Sequence, residues 1–174
     1  RKSEKPLQTL NLKPLLIGGI VCGIVLTLSS SLQQFGMNSN NSGKAGFITA
    51  MYILLVPILG LFSKKKVSAK VWISVALGVI GLYFLCMTQN LTLESTDIFL
   101  MLCAVSFSVH ILVVDYYSPK VDSVKLSCLQ FFTAFVLASI MALIFDKPSL
   151  QSIISAIGPI LYAGIMSSGI AFTL

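Results

Sequence analysis

A lysine and a run of amides lie between two membrane-length apolar segments, at residues 33–57 of the chain. Gln33, Gln34, Asn38 and Lys44 are the groups most able to do chemistry there. A bilayer solvates none of them, and polar groups at membrane depth are retained where they face a cavity, a ligand or one another. Upstream, Thr27 and Ser31 join Gln34 and Asn38 at i, i+4, i+7 and i+11, one helical face, with Ser30 and Gln33 beside it. Such a stripe should point away from lipid. It lines a solute pathway, or it supplies interhelical hydrogen bonds of about 0.6 kcal/mol each that hold a bundle together. Two glutamines are more than gluing requires, which favours the pathway.

Lys44 is placed at the start of a helix, where the positive end of the dipole disfavours a cation. A neighbouring anion would remove the conflict, and helix N-termini themselves attract anions. The position therefore reads either as a carboxylate or phosphate site, or as a lysine snorkelling to the interface. Further along, Thr49 and Tyr52 share a face at i, i+3, and Pro57 cannot donate to the carbonyl of Ile53. The released acceptor suits a hinge at a moving segment and equally a plain packing kink.

The one histidine, His110, falls about midway along an apolar segment, with Ser106 a turn before it and Tyr117 two turns after. It is a candidate proton-coupling group or a neutral side chain bonded to a hydroxyl or carbonyl. Asp115 is expected to pair with Lys120 or face water, and Gln130, Tyr162, Ser167 and Ser168 are lesser candidates for lining a pathway. Metal-ligand spacings, a P-loop and nucleophile motifs are absent from the sequence, and no acidic pair is embedded within a segment. Catalytic residues, metal ligands and cofactors are accordingly not expected, and the chain does not read as an enzyme. The four cysteines sit inside apolar runs as small hydrophobes.

The elements that must position these residues are membrane spans. The chain is 174 residues long, 56% hydrophobic and only 10% charged, against about 25% charged in soluble domains. A mean hydropathy of +0.92 places it in a lipid bilayer. Six segments approach or reach the roughly 20 residues a spanning helix needs. They are residues 14–35, 43–62, 71–88, 96–117, 123–145 and 153–174. None alternates with period two, so the fold class is all-α, a polytopic transmembrane helix bundle. With alternating spans, ten lysines and arginines fall on one side and only Lys44 and Lys147 on the other. The 63–70 loop is then cytoplasmic and the 38–42 turn faces outward. The net charge of +6 is thus topogenic and implies no nucleic acid. Small-xxx-small pairs at Gly19/Gly23, Ser74/Gly78 and Gly164/Ser168 favour close helix packing. The last segment stops at Leu174 with no polar flank, which reads as a chain cut within or at the edge of a helix.

The stretch Ser42-Gly-Lys-Ala-Gly-Phe-Ile-Thr-Ala-Met-Tyr-Ile-Leu-Leu-Val-Pro-Ile-Leu-Gly60, with Leu32-Gln-Gln-Phe-Gly before it and the basic loop after it, resembles the drug/metabolite transporter superfamily, EamA type. Lys70–Leu85, Asp115–Asp122 and Leu161–Leu174 add weaker, hydrophobic likeness over nearly the whole chain. The resemblance implies ten helices in two inverted five-helix repeats. Residues 1–89 would hold the last three helices of the first repeat and residues 90–174 the first three of the second. The central cavity of such a fold would be lined by the helices that carry Gln34, Lys44, Thr49, Tyr52, His110 and Ser168; with Gln33 and Asn38 of the polar stripe these form the candidate substrate-binding set, and Pro57 is the candidate hinge. The turn 38–42 is richer in asparagine than the family pattern. The expected function is a secondary transporter moving a small organic solute across the plasma membrane by alternating access. Protons are the candidate coupling ion, the lipid bilayer the surroundings, and a homodimer a candidate assembly. The alternative is a non-transporting membrane scaffold or assembly protein whose polar stripe is structural.

Overall fold

The computed structural model describes residues 12–37, 42–62, 67–86, 95–145, 150–162 and 164–165. Helices α1 (Leu12–Met37), α2 (Ser42–Ala50), α3 (Tyr52–Phe62), α4 (Ala69–Cys86), α5 (Asp97–Tyr117), α6 (Ser123–Phe145), α7 (Leu150–Ser155) and α8 (Ile157–Tyr162) make up nearly all of it. Strands are absent among the described residues, so the all-helical fold class expected from the hydropathy pattern holds. Four stretches are long and apolar enough to cross a membrane: Leu12–Met37, Gly43–Leu61, Asp97–Lys120 and Ser123–Phe145. They coincide with four of the six expected spans. The segment expected at 71–88 is the shorter apolar helix Ala69–Phe84, and only the first part of the segment expected at 153–174 lies within the described residues, as α7 and α8.

Local chemistry explains where the helices start. Pro14 sits in the first turn of α1, where a backbone N–H would have no intrahelical partner in any case. Ser68 precedes α4 and its Oγ accepts from the Lys70 amide at 3.4 Å. Asp122 caps α6, its Oδ1 accepting from the amides of Val124 (2.9 Å) and Lys125 (3.3 Å). Between α5 and α6 the chain makes a single 3-10 turn, Ser118–Lys120, built on Pro119 and closed by a 2.9 Å bond between the Ser118 and Ser123 hydroxyls.

The chain divides into two compact units, Arg1–Ile24 with Tyr117–Leu174, and Val25–Tyr116. In the first, α1 meets α6 along glycines. A Cβ at Gly18 would lie 2.8 Å from the Tyr117 ring, at Gly19 2.5 Å from Leu129, and at Gly23 2.5 Å from Thr133 Cβ and 2.8 Å from the Gln130 carbonyl. Only glycine lets the two backbones come this close. The Gly19/Gly23 pair seen in the sequence is therefore a packing surface against α6.

In the second unit α5 is central. On one side it packs against α1, where a Cβ at Gly36 would lie 2.5 Å from Leu100 and where Phe35 and Phe99 rings sit 6.4 Å apart. On the other it meets α2 and α3, which also pack on α4. The span of α2 and α3 is interrupted at Met51. There the Met51 amide donates to the Ile48 carbonyl (3.2 Å), and both Leu54 and Leu55 donate to the Met51 carbonyl at 3.0 and 3.2 Å. Pro57, the expected hinge, lies buried inside α3, which continues through it to Phe62. The break in the helix thus falls six residues upstream of the proline, one residue before Tyr52.

Candidate functional site

Lys44 and Asp97 form a buried ion pair. Lys44 Nζ lies 2.9 Å from Asp97 Oδ2, with the two side chains 7% and 2% exposed. Lys44 is the third residue of α2 and Asp97 the first of α5, so two helix N-termini meet here. The carboxylate sits where the α5 dipole favours it, and the ammonium sits where the α2 dipole opposes it. Asp97 removes that conflict from within the chain. The other described lysines, Lys13, Lys70, Lys120 and Lys125, are exposed, as are Asp115 and Asp122. Lys44 is thus turned to a partner within the fold and buried there.

From this pair the contact between α2–α3 and α5 continues in step. Thr49 lies against Cys103, and Tyr52 packs on Phe107 with ring centroids 6.1 Å apart. The positions 44, 49 and 52 thus face 97, 103 and 107, as two helices running the same way must. Thr49 Oγ1 is buried beside the Cys103 thiol, with no closer hydrogen-bonding partner among the described groups. One turn beyond Phe107, His110 is buried at 7% exposed.

A second polar line joins α5 to α1. Ser29 Oγ donates to the Val25 carbonyl at 2.8 Å and lies 2.7 Å from Ser106 Oγ. With one proton per hydroxyl, Ser106 supplies the proton of the second bond. The Cys103 thiol donates to the Ser29 carbonyl at 3.3 Å. Ser108 turns its hydroxyl back onto the Ala104 carbonyl at 2.8 Å. Cys22 and Cys103 are fully buried free thiols.

Of the residues singled out from the sequence, the structure brings Lys44, Thr49 and Tyr52 against α5, on which His110 itself lies buried. Of the α1 stripe, Thr27 is buried, Ser31 and Gln33 are half-buried and Gln34 is exposed. The Ser31 hydroxyl donates to the Thr27 carbonyl at 2.9 Å. Asn38, Ser167 and Ser168 lie outside the described residues. Gln130 is buried at 2% on α6, in the other unit. Sequence reasoning missed Asp97, which it took only as the start of a span, and Ser29. The recurrence of small residues at Cys22, Ser29 and Gly36, seven apart, was the available signal for Ser29, since such a line marks a seam between helices.

No family model matches the chain, and no solved structure matches it. Over 122 residues it is 31% identical to an uncharacterized transporter of Archaeoglobus fulgidus, a match covering 70% of this chain and 39% of the relative. The chain thus spans about two-fifths of the length of that protein. The chain is a polytopic helical membrane protein similar in sequence to a transporter.

Proposed function

We propose that the chain belongs to a secondary transporter, of EamA type within the drug/metabolite superfamily, that carries a small organic solute across the plasma membrane by alternating access. The observation that carries this reading is the line of buried polar groups between α2–α3 and α5. It begins at the Lys44–Asp97 pair and passes Thr49 and Tyr52, and His110 lies buried on α5 one turn beyond Phe107. Ionisable and hydroxyl groups placed in succession along apolar spans mark solute and ion routes more often than they mark packing. Thr49 offers a buried hydroxyl with bonding capacity to spare. His110 is the residue suited to couple a proton to solute movement. Gln33, Gln34, Asn38 and Ser168 complete the proposed solute-binding set. The Gln34 face is exposed in the described part of the chain, so its role rests on the remainder of a protein as long as the relative. The helix break at Met51 supplies bending, with Pro57 leaving the carbonyl of Ile53, two residues on, without its usual donor. In this reading the 63–70 loop is cytoplasmic, and the paired ends of α2 and α5 face outward.

The test is solute-evoked proton flux by the full-length protein in proteoliposomes carrying a pH-sensitive dye, across panels of amino acids, nucleosides and organic cations. One solute class should evoke flux. Thr49→Val should weaken the apparent affinity for that class. His110→Gln should abolish proton movement while leaving solute exchange. The scaffold reading has its own support in the Ser29–Ser106 bond and the glycine contacts with α6. It would prevail if radiolabelled uptake were absent for every class and a partner protein co-purified in fixed ratio.

A further inference from the structure

We infer that the Lys44–Asp97 pair is a breakable latch at the end of the α2–α5 contact, and that the interruption at Met51 is the joint about which the latched segment α2 moves. What the latch would admit rests on the transport reading above; that it opens does not.

Three observations converge on it. First, the pair joins the ends of two helices remote in the sequence, and both side chains are buried. A buried pair adds little stability over well-packed apolar residues, yet breaking it leaves a charge that must find water or another partner. Its special property is therefore reversibility with a definite open state, in which each charge is solvated. Second, α2 is only nine residues long and is separated from α3 by the break at Met51, where i−3 bonds from Met51 and Leu54 interrupt the regular ladder. Irregular hydrogen bonding inside a span is a recognised site of bending. Third, α2 packs on α4 as well as α5, but its glycine face is open. A Cβ at Gly43 or Gly46 would meet nothing within 4 Å, whereas the α1 face of α5 is closed tightly around Gly36. Movement of α2 away from α5 would uncover Thr49 while leaving the α1–α5 contact whole.

The latch is tested by cysteine labelling in membranes containing the full-length protein, with Cys22, Cys86, Cys103 and Cys128 replaced by alanine. Thr49→Cys reports the latched surface, and Leu100→Cys reports the α1–α5 contact. Both should be protected from a water-soluble maleimide in the otherwise unchanged chain. Asp97→Asn should speed labelling at 49 by at least about tenfold and leave 100 protected, since only a local opening is favoured. The swapped pair Lys44→Asp with Asp97→Lys should restore protection. The apolar pair Lys44→Met with Asp97→Leu should fold, protect position 49 as well as the native pair does, and arrest solute movement, because it closes without being able to open. Unchanged labelling at 49 in Asp97→Asn, or labelling of 49 and 100 together, would overturn the latch in favour of an inert contact or a global staple. The labelling pattern without any solute flux would keep the latch and remove the transport reading; flux without the pattern would do the reverse.

Discussion

The two units of this chain are held by opposite means. In the unit containing α6, α1 is held by the absence of side chains: Gly18, Gly19 and Gly23 let it lie directly on Tyr117, Leu129 and Thr133. In the unit centred on α5, α2 and α3 are held by specific groups, an ion pair and an aromatic contact, with a buried hydroxyl between them. Dispersion contacts between close backbones are short-ranged and lost together, so a glycine contact behaves as one solid piece. Polar contacts are few, directional and exchangeable with water. A membrane protein that must be rigid in one place and yield in another has these two chemistries to choose from.

The difference can be broken by substitution. The largest effect is expected at Asp97. Asp97→Asn takes the paired carboxylate from a buried Lys44 at a helix N-terminus that opposes its charge, and should cost about 3–5 kcal/mol. Lys44→Met should cost less, because the carboxylate it leaves behind is supported by the α5 dipole. Unfolding titrations in mixed micelles would give both values, and a reversed order would refute the dipole argument. Next comes Gly23→Ala, whose Cβ would press on the Gln130 backbone carbonyl 2.8 Å away. Overpacking of this kind should cost about 1–3 kcal/mol. Gly46→Ala, with open space around the new methyl, should instead stabilise by up to about 1 kcal/mol through helix propensity alone. If Gly23→Ala and Gly46→Ala behaved alike, the contrast between a solid and a yielding contact would collapse. The smallest effect, about 0.6 kcal/mol, is expected for Ser29→Ala, which removes one interhelical bond.

Much of this was legible in the sequence, and the reason it stopped where it did is physical. Hydropathy located four described spans because length and apolarity are properties of a segment by itself. The lysine at 44 was visibly misplaced for the same reason: dipole and charge conflict within one helix. Its partner was not visible, because Asp97 is an ordinary acidic residue at a helix start, favourable in its own right, and nothing local links it to a lysine in another helix. Pro57 drew attention as the expected bend, since its missing N–H is written in the residue type. The break at Met51 depends on how α2 and α3 settle against α4 and α5, and no single residue announces it. The polar stripe from Thr27 to Gln34 was a sound periodicity, but the side of α1 that meets α5 follows the smaller residues, Ser29 and Gly36.

The separation of Lys44 from Asp97 along the chain also bears on how the protein is made. The lysine leaves the ribosome first, well before the carboxylate that pairs with it. At about 5–20 residues per second, the roughly 50 residues before its partner take several seconds to synthesise. During that interval α2 and α3 must wait at the translocon or the membrane surface, or enter with the charge reaching for headgroups. The second half of the chain thus supplies more than further helices: it brings the carboxylate that pairs with a buried charge of the first.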